Sequence, residues 1–333
     1  MSKNLHFLAA PLAEVGSDEQ VLSVQLDDGN LFIQTATNTV DSDFELVCLA
    51  NQMSEQTFKQ VHQFFAKQAA TGYAQYLPGS TEIVIRWPLQ AELADAELRQ
   101  LKDWAADKQI DIWQLTPDRP SLAKPGLLVM DMDSTTIKIE CIDEIAKLAG
   151  VGEQVAEVTE LAMQGKLDFA ESLRGRVGTL KNAPVDIIEQ VASDLPLMHG
   201  LENLIKHLKQ AGWKIAIASG GFTYFADRLK DQLGLDAAVA NQLEIDGDRL
   251  TGQVLGDIVD AQVKADTLQK LAVEYGIEPG QTVAMGDGAN DLVMMSAAQL
   301  GVAFEAKPLV QERADLAINY HGLDALLAIL KSA

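Results

Sequence analysis

Cysteine is nearly absent from this 333-residue sequence, which holds only Cys48 and Cys141. Two thiols so far apart make no disulfide framework, and they suit a reducing compartment. Cations are also scarce, with 26 Lys and Arg against 48 Asp and Glu and a formal net charge of −22. Nucleic acid and anionic membrane surfaces would be repelled by such a field, so neither is expected as a partner. An anionic small molecule could bind only where local cations or a metal ion reverse that field. Long apolar runs are missing too: Leu5 to Ala13 is short and broken by His6 and Pro11, unlike a cleaved signal peptide. No run reaches the length that spans a bilayer. His6, His62, His199, His207 and His321 are scattered without ligand spacing, which speaks against a histidine-based metal centre. The expectation is a soluble, cytoplasmic protein.

What is present is an ordinary globular composition, 47% hydrophobic and 22% charged, in a chain long enough for about two domains. Residues 21–26 and 31–35 suggest strands around the turn signal Asp28-Gly29-Asn30. Phe44 to Leu49, Thr81 to Trp87 and Ile110 to Leu115 suggest further strands. Ser54 to Ala70 and Ala91 to Lys108 carry apolar residues at helical spacing. Strands interleaved with two helices predict a small α+β module of ferredoxin-like type over residues 1–118, closed by the linker Thr116-Pro117-Asp118-Arg119-Pro120.

Beyond the linker, residues 122–333 change to strands followed by helices, the pattern of a doubly wound parallel α/β sheet. Strands are expected at 126–130, 214–218 and 281–285. Helices are expected at 201–210, 222–233, 264–275 and 290–298, with a hairpin around Asp246-Gly247. Between about 139 and 201 only helical segments are legible, so that stretch reads as a helical insertion standing over the end of the first strand.

That strand, Gly126 to Met130, is an apolar run that stops at Asp131-Met132-Asp133-Ser134-Thr135. In an open α/β sheet, ligands collect beyond the carboxyl ends of the strands. If the backbone stays extended past Met130, Asp131 and Asp133 share one side, roughly 6.6 Å apart along the chain. The strand ending at Ala218 runs into Ser219-Gly220-Gly221, a hydroxyl with open backbone N–H groups for an anion. The strand ending at Met285 runs into Gly286-Asp287-Gly288-Ala289-Asn290-Asp291, a tight turn bearing hard oxygen ligands. Lys264 opens the helix between them. Singly, each reads more readily as a turn or loop; their order and spacing change that.

Asp131-Met132-Asp133-Ser134-Thr135, Ser219-Gly220-Gly221, Lys264 and Gly286 to Asp291 together resemble the four-motif signature of the haloacid dehalogenase superfamily. The resemblance covers about residues 125 to 330. It is strongest to members that hydrolyse O-phospho-L-serine, the last step of serine synthesis. It implies Asp131 as nucleophile through an aspartyl-phosphate, and Asp133 as acid and then base. It further implies Mg²⁺ held by Asp131, Asp287 and the Asp133 carbonyl, with Asp291 orienting the metal waters. Ser219, the Gly220 N–H, Lys264 and Asn290 would hold phosphate oxygens. The first module resembles, more weakly, an ACT-like extension that regulates or dimerises, so a homodimer is among the assemblies this reading allows.

Phosphoserine also carries an ammonium and a carboxylate, so a discriminating site needs one acid and one base at fixed separation. The segment Asp168 to Arg176 starts like a capped helix, with Phe169, Leu173, Arg176 and Leu180 on one face. The family pattern places Glu140 on the amine, Arg176 on the carboxylate, and Met163 and Phe169 as the apolar wall. The plainer reading of Arg176 is an internal ion pair, that of Cys141 a packed thiol, and that of Trp87, Trp104, Trp113 and Trp213 core or interface residues. Two other functions fit the same motifs: a phosphotransferase or broader phosphomonoesterase, and an amino-acid sensor with a vestigial phosphatase half.

Overall fold

The computed structural model describes residues 21–27, 30–36, 42–68, 71–163 and 166–332, and the chain divides into two units, 1–121 with 318–333, and 122–317. In the first unit, β1 (Leu22–Asp27) and β2 (Asn30–Thr35) pair antiparallel, as expected, although Asp28 and Gly29 of the turn lie outside the described residues. There follow β3 (Phe44–Ala50), α1 (Glu55–Gln63), β4 (Thr71–Tyr76), β5 (Ile83–Leu89), α2 (Asp95–Ala106) and β6 (Asp111–Leu115). Their sheet runs β2-β1-β4-β5-β3-β6. Its inner order β4-β5-β3-β6, with helices after β3 and β5, is the ferredoxin-like arrangement. α1 begins where Ser54 Oγ accepts the Thr57 N–H at 3.0 Å, and it buries Phe58 and Val61 against Leu46, Ile85 and Trp87 of the sheet.

β4 is absent from the sequence-based expectation, because Thr-Gly-Tyr-Ala-Gln-Tyr is short and carries a glycine. The structure shows the reason for Gly72: a Cβ there would lie 2.6 Å from Trp87 Nε1, so the missing side chain admits the indole.

The expected second domain, 122–333, is too long at its C-terminus. Residues 318–333 belong with the first unit. Asp111 on β6 accepts the N–H groups of Asn319 at 2.9 Å and Tyr320 at 3.1 Å, and its Oδ2 lies 2.8 Å from His321 Nδ1. Arg86 donates from Nη2 to the Ala328 carbonyl at 2.7 Å. Apolar residues Ile318, Leu323, Leu326, Leu327, Ile329 and Leu330 are all buried. The partners of this tail are more than two hundred residues away in the chain, so no local pattern announces them.

The second unit opens with β7 (Leu127–Met130), followed by the insertion α3 (Cys141–Ala149), α4 (Gly152–Met163), α5 (Phe169–Thr179) and α6 (Asp186–Ala192). Then come α7 (Leu201–Gln210), β8 (Lys214–Phe222), α8 (Thr223–Leu233), β9 (Ala237–Asp246), β10 (Arg249–Leu255) and α9 (Ala261–Glu274). β11 (Thr282–Gly286), α10 (Leu292–Ala297), β12 (Leu300–Phe304), α11 (Pro308–Arg313) and β13 (Leu316–Ile318) complete it. Among the described residues the insertion is helical apart from isolated bridges, in agreement with the expectation. The sheet runs β10-β9-β8-β7-β11-β12-β13, with β9, β8, β7, β11 and β12 parallel and β10 antiparallel to β9.

This is a doubly wound sheet whose strand order reverses beside β7, which puts the binding crevice beyond the ends of β7, β8 and β11. Leu127, Leu128, Val129 and Met130 are fully buried, as a strand covered on both faces requires. Among the described residues no helix is long and apolar enough to cross a membrane.

Candidate active site

β7 carries Asp131 to the crevice. The Asp131 N–H still reaches the Met285 carbonyl at 2.9 Å, but the extended backbone ends there. The N–H groups of Thr135, Thr136 and Ile137 all return to the Met132 carbonyl, and Ser134 takes a left-handed φ of 55°. A tight turn, not strand alternation, therefore brings Asp133 to the wall that Asp131 shares. The turn also lets the Ser134 hydroxyl donate to Glu140 Oε1 at 2.7 Å, and Asp133 Oδ1 accepts the Cys141 N–H at 3.3 Å at the start of α3.

β8 supplies the second edge. Its register against β9 shifts between Ala218 and Phe222, so Ser219, Gly220 and Gly221 bulge from the ladder. Ser219 is buried and its Oγ accepts the Gly221 N–H at 2.9 Å. A Cβ on Gly220 would meet Phe169 Cζ at 2.5 Å, so the insertion's ring lies directly on this backbone. β11 supplies the third edge. Asp287 follows it and accepts the Thr135 hydroxyl at 3.2 Å. Asp291 is fully buried and accepts the Gly288 N–H at 3.0 Å.

Lys264, also fully buried, reaches across from α9 to Asp131 Oδ2 at 2.9 Å and to Asp291 Oδ1 at 2.7 Å. Withdrawal from water works against its charge, but the carboxylates of Asp131 and Asp291 outweigh that and hold the ammonium above its ordinary pKa. The acids pay the opposite way. Loss of water contact, then the charges of Glu140 and Asp131, push Asp133 up to about 8. Burial and the Asp131 charge push Asp287 up to about 6. The same two causes raise Asp291 against the pull of Lys264. Glu140 is raised by desolvation, with its Ser134 hydrogen bond opposing.

Carboxylates crowded in this way could hold a cation, whose charge would offset their mutual repulsion. Oxygens of Asp131, Asp287 and Asp291 lie within 4.8 Å of one another, and a hard-oxygen set of this size fits a small divalent ion. Both Asp291 oxygens serve Lys264 and the Gly288 N–H, and both Asp131 oxygens serve Lys264 and the Met132 N–H, but Asp131 and Asp287 line the cavity while Asp291 lies behind it, so those two are the ligands a cation in the cavity would meet.

A cavity of about 160 Å³ joins these edges to the insertion. Asp131, Asp133, Ser219, Gly220, Asp287 and Asn290 face it from the sheet, and Glu140, Phe169 and Arg176 from the insertion. Lys264 and Asp291 sit behind, bonded to Asp131 or to each other. Of the residues expected from sequence, only the Met163 side chain lies outside the described residues. Arg176 Nε is buried without a hydrogen-bond partner. The structure adds Ile142, Leu173, Gly221, Phe222 and Gly288 to the lining. Leu173 shares the helical face of Phe169 and Arg176 and was legible there; Ile142 and Phe222 carry no such signal.

The sequence model of haloacid dehalogenase-like hydrolases matches residues 125–299, more than half of the chain. The chain is 62% identical over 216 residues to a phosphoserine phosphatase of Vibrio cholerae, a match spanning 65% of this chain and 66% of that protein. It is 60% identical over 226 residues to the phosphoserine phosphatase of Haemophilus influenzae, covering 68% of this chain and 72% of that one. An unliganded crystal structure of a probable phosphoserine phosphatase from Vibrio cholerae superposes with a TM-score of 0.74 at 49% identity, covering 86% of both chains. With the strand-end carboxylates, the buried lysine and the helical insertion all in their places, the chain belongs to the haloacid dehalogenase-like hydrolases.

Proposed function

We propose that the chain hydrolyses O-phospho-L-serine to L-serine and phosphate. The observation that carries this reading is the cavity itself: a phosphate-sized floor of acids and glycine N–H groups, roofed by Glu140 and by Arg176 with its unpaired Nε. Arg176 is half-buried and its buried Nε has no hydrogen-bond partner, which a substrate carboxylate would supply.

Asp131 attacks phosphorus through Oδ1, the carboxylate oxygen not paired with Lys264, and the bond from phosphorus to the serine oxygen breaks. Asp133, held protonated near neutrality, gives its proton to that oxygen as it leaves. It then takes a proton from the water that attacks the aspartyl-phosphate, which frees phosphate and restores Asp131. Ser219 and the Gly220 N–H hold phosphoryl oxygens, with Asn290 at the rim and a third N–H of Lys264 from behind. Glu140 takes the substrate ammonium, Arg176 its carboxylate, and Phe169 packs the carbon between them. Asp131, Asp287 and the Asp133 carbonyl would hold Mg²⁺, which neutralises charge on the phosphoryl oxygens.

Phosphate release from a panel of phosphomonoesters, with and without magnesium, tests the reading. Asp131→Asn should abolish turnover. Arg176→Ala should raise KM for phosphoserine, by about 10²-fold for a lost charged contact, while phosphoethanolamine, which lacks the carboxylate, is unaffected. Equal rates on phosphothreonine and sugar phosphates would point to a broader phosphomonoesterase, and an active Asp131→Asn protein would rule out the mechanism.

A further inference from the structure

The bulge at Ser219-Gly220-Gly221 leaves a gap in the β8–β9 ladder, and one side chain fills it. Asn241 stands on β9 opposite Phe222, just past the register shift, and is 1% exposed. Its Nδ2 donates to the Gly220 carbonyl at 2.8 Å, and its Oδ1 accepts the Val259 N–H at 2.8 Å. Both partners are backbone groups of fixed polarity, so the site demands one donor and one acceptor on the same small planar group. A neutral amide supplies that pair at any pH, whereas a carboxyl of the same size does so only while protonated.

The two backbone groups belong to the two halves of the phosphate cradle. Gly220 is the middle of the bulge that faces the cavity. Val259 precedes Asp260, which caps α9 by accepting the N–H groups of Gln262 at 2.9 Å and Val263 at 3.0 Å. Lys264 follows one turn on, with its own N–H bonded to the Asp260 carbonyl at 3.0 Å. The Gly220 carbonyl shares its peptide plane with the Gly221 N–H, which donates to Ser219 Oγ, so anchoring that carbonyl fixes the Ser219 hydroxyl and the bulge backbone together.

We infer that Asn241 is a positioning residue that holds the Ser219–Gly221 bulge in register with the Lys264 helix, so that N–H donors and ammonium meet one phosphoryl group. This rests on the phosphate site proposed above and extends it to a residue that never touches substrate. The functional consequence is specific. Losing the anchor should weaken what binds the phosphoryl end and leave the serine end, held by Glu140 and Arg176, as it was.

The test is Asn241→Asp in the magnesium-loaded protein. This isostere keeps the acceptor for Val259 but sets a carboxylate oxygen against the Gly220 carbonyl. Inhibition constants for inorganic phosphate and for L-serine are read beside kcat and KM for O-phospho-L-serine. A displacement near 1 Å should lower kcat/KM about 10²-fold and weaken phosphate at least about tenfold, with L-serine unchanged. Equal weakening of both products, or of neither, would overturn the proposal, since general loosening has no reason to spare one end.

Should the variant fail to fold, amide exchange on the wild-type protein decides instead. Inorganic phosphate should slow exchange at Val259, which it does not touch, and no change there is the contrary result. If the wild type releases no phosphate from O-phospho-L-serine, the substrate reading fails, while calorimetric phosphate binding by the two proteins still judges the anchor.

Discussion

Asp133 shows how far one carboxyl can be moved by its neighbours. Its folded pKa, about 8, lies above the ordinary 3.8. A group shifted upward contributes stability that is fully present below its unfolded pKa and lost as pH rises through the folded one. In the metal-free protein, the melting temperature of wild type minus that of Asp133→Asn should therefore fall between about pH 4 and about pH 8. A flat difference in EDTA would show that the acid is not held protonated. Gly220 makes a steric argument at the same scale. Adding a Cβ 2.5 Å from the Phe169 ring must displace one of them. Gly220→Ala should raise KM about tenfold or more, and pairing it with Phe169→Leu should recover part of the loss. Gly220 and Arg176 were legible as site residues only because their motifs lay in order along the chain; the contact between Phe169 and Gly220 was not, being a meeting of two segments some fifty residues apart.

Among the elements, α5 presents Phe169, Leu173 and Arg176 to one cavity, and the proposed reading rests selectivity on it. Its start is set by a reciprocal cap: Asp168 accepts the Glu171 N–H at 2.8 Å, and Glu171 Oε2 accepts the Asp168 N–H at 3.0 Å. Asp168→Ala should cost about 1 kcal/mol, measured by denaturant unfolding, and should raise KM for phosphoserine more than it lowers kcat. An equal effect on both would mean the first turn does not govern where Arg176 points. This helix was readable because its cap and its face are local patterns. β4 and β12 were not, for opposite reasons. β4 depends on a glycine that makes room for Trp87, and β12 follows the last strand expected from sequence, its short apolar run bearing Gly301 beneath Met295.

For the whole molecule, the charge of −22 opposes the anionic substrate proposed above, and Lys264, Arg176 and a cation at the Asp131, Asp287 and Asp291 cluster would offset it locally. Removing divalent ions should therefore abolish phosphate release and weaken inorganic phosphate binding together, as inhibition assays in EDTA would read. The C-terminal tail belongs to this scale as well. Asp111→Ala strips the buried partners of Asn319, Tyr320 and His321, and should destabilise the first unit by about 3 kcal/mol. Deleting 318–333 should lower the melting temperature at least as much, and a tail deletion with unchanged melting would show the burial to be incidental.

The chain's own order of residues determined its two sheets' character, the helical insertion and the motif residues around the nucleophile, because periodicity, caps and strand-end motifs are local and act within a few residues. Only the tertiary structure decided that a turn rather than an extended strand sets Asp133 beside Asp131, that Lys264 bridges Asp131 and Asp291, that Asn241 ties the bulge to α9, and that the last sixteen residues side with the first unit. Each of these joins segments whose pairing depends on the polarity or room left by a distant neighbour, and such complementarity has no signature until the chain has folded.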